Sequence, residues 1–600
     1  WKIKYPYVLC SIFTNLIATH LLYTVSQTDC YVCLWLPTAS VQEARTRTIF
    51  NCKNPIWNET FYFIVQRQNI LELKICDEDK VTPDDHLYTV HFDIANIQLG
   101  GKVCLNFELN PKVRLDGMDL DVRLGFDLCA EEQDFICKRK KVVAAALKKV
   151  LQLEEDLQDD EVPVVAIMTT AGGVRSMTAM FGSLLALQKL DILDCISYIA
   201  GLSGTTLYED AFWSQKDLEG PINDARKHVM QSKLGCFSLD RLKYYEKELC
   251  QRQKEGHKTT FTDLWGLLIE SMFRSEENPH KLSDQRQAIN QGQNPLPVYV
   301  ALNVKDNFST LDFKEWVEFT PYEVGFPKYG AFIHTEDFGS EFFMGHLMKK
   351  IPESRICFME EEWPVLPTRP GDKTCLFFPR SCLSEALRDI ITHRPVLPHY
   401  HNFLKGLQMH DRYLEKDRFC MWKDTVLDSS PNELNERADY LELTDTAFFI
   451  NTSCPPLLRP ERTVDVILHL NYSGGLQTLV RGFKIEEDRK HLKECYLFED
   501  TESSRAPILL YFPLVCDTFQ KYKAPGVERS PTEMKQGQLN VSSTAFTPYA
   551  TGMLTYTEEN YNKLLNLTSY NILNNKHLIL QLGLQPAGAG LRCGAWADGT

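Results

Sequence analysis

Positive charge is what this 600-residue chain most lacks: 65 Lys and Arg stand against 80 Asp and Glu, a formal net charge of -15. Binding a polyanion depends on cations that neutralise phosphates, so nucleic acid is excluded as the main partner. Long hydrophobic runs are also scarce. Past the first 25 residues, no stretch approaches the ~20 apolar residues that cross a bilayer. The 19 cysteines are scattered, with no small cysteine-dense unit and no paired CxxC spacing. That excludes a disulfide-stapled scaffold and fits reduced thiols in the cytoplasm. No internal repeat and no long low-complexity segment is present. The one apolar run, Tyr5 to Val25 behind Lys2 and Lys4, begins as a signal peptide does, but Thr14, Asn15, Thr19 and His20 interrupt it and no clear cleavage site follows.

The length favours two or more domains. From residue 29 to about 110 short strand-like segments (YVCLWLP, TRTIF, ETFYFIV, ILELKIC, LYTVHFDI) alternate with turn residues, a β-sandwich pattern. Near Asp121 the texture changes, and from Glu131 to Leu157 apolar residues recur at helical spacing. A strand over Val162 to Met168, a turn at Ala171-Gly172-Gly173, a helix from Ser176 to Lys189, a strand from Ser197 to Gly201 and a further helix then open a parallel sheet. The expected fold is multidomain: an all-β sandwich over 1–112, a linker over 113–125, and a large α/β domain with a central mixed sheet over 126–600. Pro364, Pro367, Pro370 and Gly371 mark Glu360 to Thr374 as its least ordered stretch.

Hard oxygen ligands gather at the sandwich loops. Asp77-Glu78-Asp79 ends one strand and Asp84-Asp85 follows a short turn, while Asp29 and Asn54 stand at the edges of other strands. Calcium takes six to eight oxygens, and carboxylates on adjoining loops supply them; a solvated acidic loop is the plainer alternative. The segments SQTDCYVCLWLP, NPIWNETFYF and LELKICDEDKVTPDDHL resemble the three calcium loops of a C2 domain over residues 26 to 95. The resemblance implies Ca2+ held by Asp29, Asn54, Asp77, Asp79 and Asp85, and docking on phospholipid. Ser26 stands where an aspartate is common, and the residues before it look unlike a first C2 strand.

Ser203 lies in Gly201-Leu202-Ser203-Gly204-Thr205, where small neighbours permit the sharp turn that exposes a nucleophile. The Gly172-Gly173 turn follows the preceding strand, so parallel neighbours would put both turns at one sheet end, with glycine N–H groups free to meet an oxyanion. A serine hydroxyl needs a base. No histidine stands in a suitable motif; Asp445, between Tyr440 to Leu443 and Ala447-Phe448-Phe449, is the candidate, with a turn or capping aspartate as the alternative. Arg175 is a candidate for stabilising phosphate or oxyanion charge, against a surface arginine at a helix start. Lys138-Arg139-Lys140-Lys141 reads as a solvated helix face or a contact for lipid head groups.

The matches EEDLQDDEVPVVAIM, GGVRSMT, LDCISYIAGLSG, FKEWVEFTPYEVGF, GSEFFMG, DTAFFINTSCPPLLRPER and KYKAPGVERSP, between about Asp121 and Leu580, resemble the group IV cytosolic phospholipase A2 family. The resemblance implies a Ser203–Asp445 dyad, an oxyanion hole at Gly172 and Gly173, and a charge-stabilising Arg175. It is strongest to the branch that moves an acyl chain, with calcium, from phosphatidylcholine to the amine of phosphatidylethanolamine. Four features depart from the family: Ala171 replaces a glycine, the stretch after Gly204 is short, Glu360 to Pro379 lacks an apolar lid, and the C-terminus has no basic tail to attract anionic lipid. The expected protein is a cytoplasmic enzyme that moves peripherally to membranes. The alternatives are a catalytically impaired membrane-binding protein and a secreted esterase, the last marked by glycans at Asn451 or Asn471.

Overall fold

The computed structural model describes residues 8–17, 29–35, 44–50, 52, 55–65, 70–78, 85–93, 120–206, 218–274, 277–304, 315–359, 398–407, 438–448, 451–473, 492–500, 506–541, 547–550 and 552–583. Asn54, Asp79, Asp84 and the proline-rich Glu360 to Thr374 stretch lie outside them. The chain divides into two compact units, Trp1–Asp119 and Leu120–Thr600.

In the first unit, strands β1 (Val8–Ile17) and β4 (Ile56–Val65) pair antiparallel, and β3 (Ala44–Arg45), β2 (Cys30–Trp35), β5 (Ile70–Asp77) and β6 (Asp85–Asp93) form a second sheet in that order. Val8–Ile17 of the apolar run near the N-terminus is therefore a strand, although the residues before Ser26 look unlike a first C2 strand in sequence.

The second unit is built on a mixed sheet of twelve described strands. Its centre is parallel: β20 (Ile508–Pro513), β18 (Val466–Asn471), β8 (Val165–Thr169), β9 (Tyr198–Gly201) and β10 (Leu296–Asn303). Antiparallel strands extend both edges: β19 (Tyr496–Phe498) beside β20, and β11 (Trp316–Phe319), β12 (Glu323–Phe326), β13 (Ala331–His334) and β7 (Arg123–Leu124) beyond β10. β8 is buried at every position, as a parallel strand covered on both faces must be. Of the linker expected over 113–125, the last residues belong to the second unit, where Val122 is buried and β7 adds an edge strand.

Helix α1 (Ala130–Leu151) stops at Gln152, which takes φ 56°; the predicted extension to Leu157 ignored this left-handed cap. Arg139, in the middle of the basic cluster, is fully buried and donates to the carbonyls of Ile196 (2.9 Å), Gly292 (2.8 Å) and Asp194 (3.1 Å). It ties α1 to the loop before β9 instead of facing solvent or lipid. Helix α2 (Val174–Lys189) is buried along almost its whole length and packs on a C-terminal helix, Glu558–Asn574, at Gly182, where a Cβ would fall 2.3 Å from the Leu565 carbonyl oxygen.

Candidate active site

Ser203 sits where β9 ends and the chain turns. Its φ of 52° puts an L-residue in the left-handed region, at a cost of about 1–2 kcal/mol that persists only where neighbours over-determine the backbone. Those neighbours are hydroxyls. Thr205 Oγ1 donates to the Leu202 carbonyl (2.7 Å) and accepts the Leu202 N–H (3.1 Å), and Thr206 bonds the Ser203 carbonyl through N–H (2.8 Å) and Oγ1 (2.6 Å). Such a turn lifts a serine out of the sheet end. The helix expected next is, among the described residues, the single 3-10 turn Ser203–Thr205; residues 207–217 lie outside them.

β8 and β9 run parallel, so the turn that follows β8 stands at the same sheet end. A Cβ on Gly204 would lie 2.3 Å from the Gly173 carbonyl oxygen, so only glycine lets the two turns touch. Gly173 itself adopts φ 59° and ψ -137° as the N-cap of α2, a conformation reserved for glycine. Its carbonyl accepts from Met177 N–H (3.1 Å) and Ser176 Oγ (2.8 Å). Among the described residues, the N–H groups of Gly172 and Gly173 have no acceptor. They are donors at the positive end of a helix, where negative charge is favoured.

Asp445 enters through the sheet register. β17 (Tyr440–Thr444) pairs with the end of β10, Thr444 facing Leu302. Leu302 also faces Trp316 of β11, so β17 occupies the opposite edge of β10, the edge that β9 uses up to Gly201 opposite Tyr299. Three residues of β10, about 10 Å of strand, separate the two positions, with Ser203 and Asp445 each just past them. Ala171, Leu202 and Ala447 meet in one small apolar cluster with Val300, Leu302 and Trp316, joining all three turns. Asp445 is 2 % exposed and its Oδ1 accepts the Ala447 N–H at 2.7 Å, so one carboxylate oxygen also caps the turn.

Two further side chains frame the site, and sequence reading missed both. Asn451 Oδ1 accepts the Ala171 N–H at 2.7 Å, and Ser453 Oγ reaches the Ala200 carbonyl at 2.8 Å while accepting the Thr169 N–H at 3.2 Å. They belong to a triplet that looked like a chance glycosylation sequon; three small polar residues set between two apolar stretches were the available signal. At the other sequon, Asn471 is buried and its Nδ2 donates to Tyr511 Oη at 2.7 Å, which leaves no amide for a glycan in the folded chain.

Arg175 is buried, contrary to the surface alternative, and donates to the carbonyls of Tyr472 (2.8 Å) and Tyr549 (2.7 Å). Burial lowers its pKa, yet a guanidinium stays protonated. Its Nη2 lies within 2.9 Å of where a Cβ on Gly172 would be, so the cation sits beside the glycine turn without lining the cavity. That cavity, open to solvent, is walled by Ser203, Leu202, Val300, Phe319, Phe338, Tyr400, Leu443 and other largely apolar groups. It offers a long apolar group a berth next to a serine hydroxyl.

In the first unit the register sets Asp77 opposite Asp85 and opposite Cys30, the residue after Asp29, and Glu78 N–H bonds the Asp29 carbonyl at 2.9 Å. Three of the five calcium candidates thus share one sheet end. Glu78 turns away to Arg45 (3.1 Å) and Thr48, so the middle carboxylate of the acidic triplet is occupied elsewhere. Asn54 and Asp79 lie outside the described residues.

Residues 13–109 match the C2 domain family and residues 165–358 the lysophospholipase catalytic domain family. Human cytosolic phospholipase A2 epsilon is 42% identical, with 93% of this chain and 88% of that protein aligned, and the mouse protein is 40% identical, with 93% and 87% aligned. The chain belongs to the cytosolic phospholipase A2 family. The solved human GIVD cytosolic phospholipase A2 superposes with a TM-score of 0.72 at 36% identity, covering 96% of this chain and 98% of that one. Its two units are accordingly an N-terminal C2 domain and a cytosolic phospholipase A2 catalytic domain. The alignment with the human epsilon protein runs over 766 positions, more than the 600 residues here, so that relative carries segments without counterparts in this chain. No described helix is long and apolar enough to cross a membrane.

Proposed function

We propose that this cytosolic phospholipase A2 is a calcium-dependent serine acyl hydrolase and acyltransferase acting on glycerophospholipids at the membrane surface. One observation carries the reading: the strained Ser203 on the wall of an apolar cavity, with two unoccupied glycine N–H donors beside it. Ser203 Oγ attacks the ester carbonyl carbon while Asp445 takes the hydroxyl proton, and Gly172 and Gly173 hold the oxyanion, where losing one donor typically costs about 100 to 1000-fold. Collapse breaks the bond to glycerol, and the Asp445 proton leaves with the lysophospholipid oxygen. The acyl chain, now an ester of Ser203, lies in the cavity. Water as acceptor releases fatty acid; the amine of phosphatidylethanolamine, with phosphatidylcholine as donor, yields N-acyl phosphatidylethanolamine. Arg175 adds fixed positive charge behind Gly172.

The human GIVD relative has been solved with methyl gamma-linolenyl fluorophosphonate, and also with that inhibitor and terbium chloride. A fatty phosphonyl fluoride combines an electrophile for serine with a chain that suits an apolar cavity. In the C2 domain, Asp29, Asn54, Asp77, Asp79 and Asp85 would hold Ca2+, which cancels their charge and lets the loop tips meet anionic lipid. The protein then works in the cytoplasm and reaches membranes peripherally. A membrane-binding protein with a silent site is the second reading, favoured by the short stretch of sequence after Gly204.

Phosphatidylcholine and phosphatidylethanolamine vesicles, with and without calcium, decide between them for the full chain and Ser203→Ala. Calcium-dependent fatty acid or N-acyl phosphatidylethanolamine that disappears in the variant supports the enzyme. Vesicle binding with no product above the Ser203→Ala background leaves the silent reading.

A further inference from the structure

β17 meets the edge of β10 over two paired positions, Leu302 with Thr444 and Asn303 with Leu443. Side chains alternate along a strand, so a slip of one residue would carry Asp445 about 3.4 Å along that edge and turn it to the other face. So short a ladder is a weak guard against slipping. A buried polar side chain of β10 supplies what the ladder lacks. Asn303 is 1% exposed; its Oδ1 accepts the Glu442 N–H at 3.1 Å and its Nδ2 donates to Glu315 Oε2 at 2.6 Å. The backbone closes on both sides of it, with Val304 N–H donating to the Glu442 carbonyl (2.8 Å) and Asn303 N–H to the Glu315 carbonyl (2.9 Å). Glu315, equally buried just ahead of β11, accepts from Tyr329 Oη through its other carboxylate oxygen. A buried amide and a buried carboxylate cost free energy unless their partners are in place, so the group is at rest only when β17 sits at this level.

We propose that Asn303 is a positioning residue for the reaction: backed by Glu315 and Tyr329, it is a latch that fixes the register of β17 and thereby delivers Asp445 to Ser203. The proposal rests on the reading of Asp445 as the base for Ser203. The latch is directional, because Asn303 turns an acceptor to β17 and a donor to Glu315, and an amide carries both. A slipped register withdraws the Glu442 N–H from Oδ1 and leaves a buried acceptor unmet. The far side of β17 is held by the strand His399–His401, where His399 Nε2 and Glu442 Oε1 stand 3.0 Å apart; that contact joins two strands to each other and does not set their level on β10. Asp445 follows Thr444 directly and caps its own turn at Ala447, so its carboxylate travels with the strand. The titratable groups around the latch are Glu315, Tyr329 and, on the β17 side, Glu442 with His399; buried Lys328 adjoins Tyr329 in the chain.

The test follows hydrolysis of a soluble ester by the full chain between about pH 5 and pH 8, on protein shown by its thermal transition to be folded at each pH. Each variant's kcat is divided by the wild-type value at the same pH, so that titrations common to both cancel. Asn303→Leu is expected to lose about 100-fold at every pH, the cost of a displacement of about 1 Å. Asn303→Asp sets a second carboxyl against Glu315, and like charges that close retain a proton between them. With that proton the pair again offers a donor to Glu315 and an acceptor to the Glu442 N–H, so its ratio should climb at least about tenfold from pH 8 to pH 5. A folded Asn303→Leu protein with kcat within about threefold of wild type, or a flat ratio for Asn303→Asp, overturns the proposal. If Asp445→Asn hydrolyses the ester as fast as wild type, or wild type hydrolyses none, the dyad reading fails instead, and amide hydrogen exchange decides the latch by itself. Glu442 and Val304 N–H groups that exchange as slowly in Asn303→Leu as in wild type overturn it, and faster exchange upholds it.

Discussion

Replacing Gly204 by alanine probes the site through a single methyl group. The added Cβ would stand 2.3 Å from the Gly173 carbonyl oxygen and 2.7 Å from the Gly173 carbonyl carbon and Cα. Backbone cannot swing away as a flexible side chain can, so the two turns must part by about 1 Å to restore contact distance. A displacement of that size between a nucleophile and its oxyanion donors costs about 100-fold in rate. Steady-state hydrolysis of a soluble ester should therefore show kcat down by about two orders of magnitude, with KM changed little because the apolar wall is untouched. Thermal unfolding of the same sample checks that the chain is folded. Gly235→Ala is the internal control, since a Cβ there meets nothing within 4 Å. A folded Gly204→Ala protein with kcat within threefold of wild type would refute the idea that contact between the two turns sets the catalytic geometry.

Asn451→Ala removes the acceptor that holds the Ala171 N–H and should lower kcat about two- to tenfold, the worth of one net hydrogen bond; an unchanged kcat denies Asn451 a positioning role. Arg462 is fully buried and bonds Glu132 (2.8 Å) and Glu318 (2.5 Å), so Arg462→Met should cost about 3–5 kcal/mol in chemical denaturation because two carboxylates lose their cation. Burial pushes the Glu318 pKa up, but Arg462 and Arg459 outweigh it and hold the carboxyl below its usual range; the stability it supplies is present near neutral pH and lost in acid, below about 4.5. His469 is buried and burial pulls its pKa down to about 3. The unfolded chain takes up that proton first, so stability falls as pH drops from about 6.5 toward 3, by up to about 1.4 kcal/mol per pH unit from this group. His469→Phe should flatten that part of the curve, and an unaltered pH dependence of unfolding would contradict the assignment.

What could be read locally was read close to the truth. Helices α1 and α2 announce themselves because their apolar spacing is a property of consecutive residues, and the strands of the first unit after β1 do so as short apolar segments between turn residues. The glycine turn and the Ser203 turn were legible for the same reason: small residues after an apolar strand leave a sharp turn and little else. Family resemblance nominated Asp445, but its place depends on β17 taking over the edge of β10 that β9 vacates, a register between distant segments that no local pattern encodes. Arg139 read as part of a solvated or lipid-facing cluster, and Arg175 as a charge-stabilising residue or a surface arginine; only the packed fold supplies the carbonyls that make their burial tolerable. Asn451 and Asn471 carried a sequon in the sequence, and tertiary structure turned their amides inward to hold backbone. The residue types, their local periodicity and the two turns were thus determined by the sequence itself. Which turns meet, which charges are buried and which apolar side chains stay outside were decided by the sheet's long-range pairing, because those contacts join residues that are neighbours only after folding.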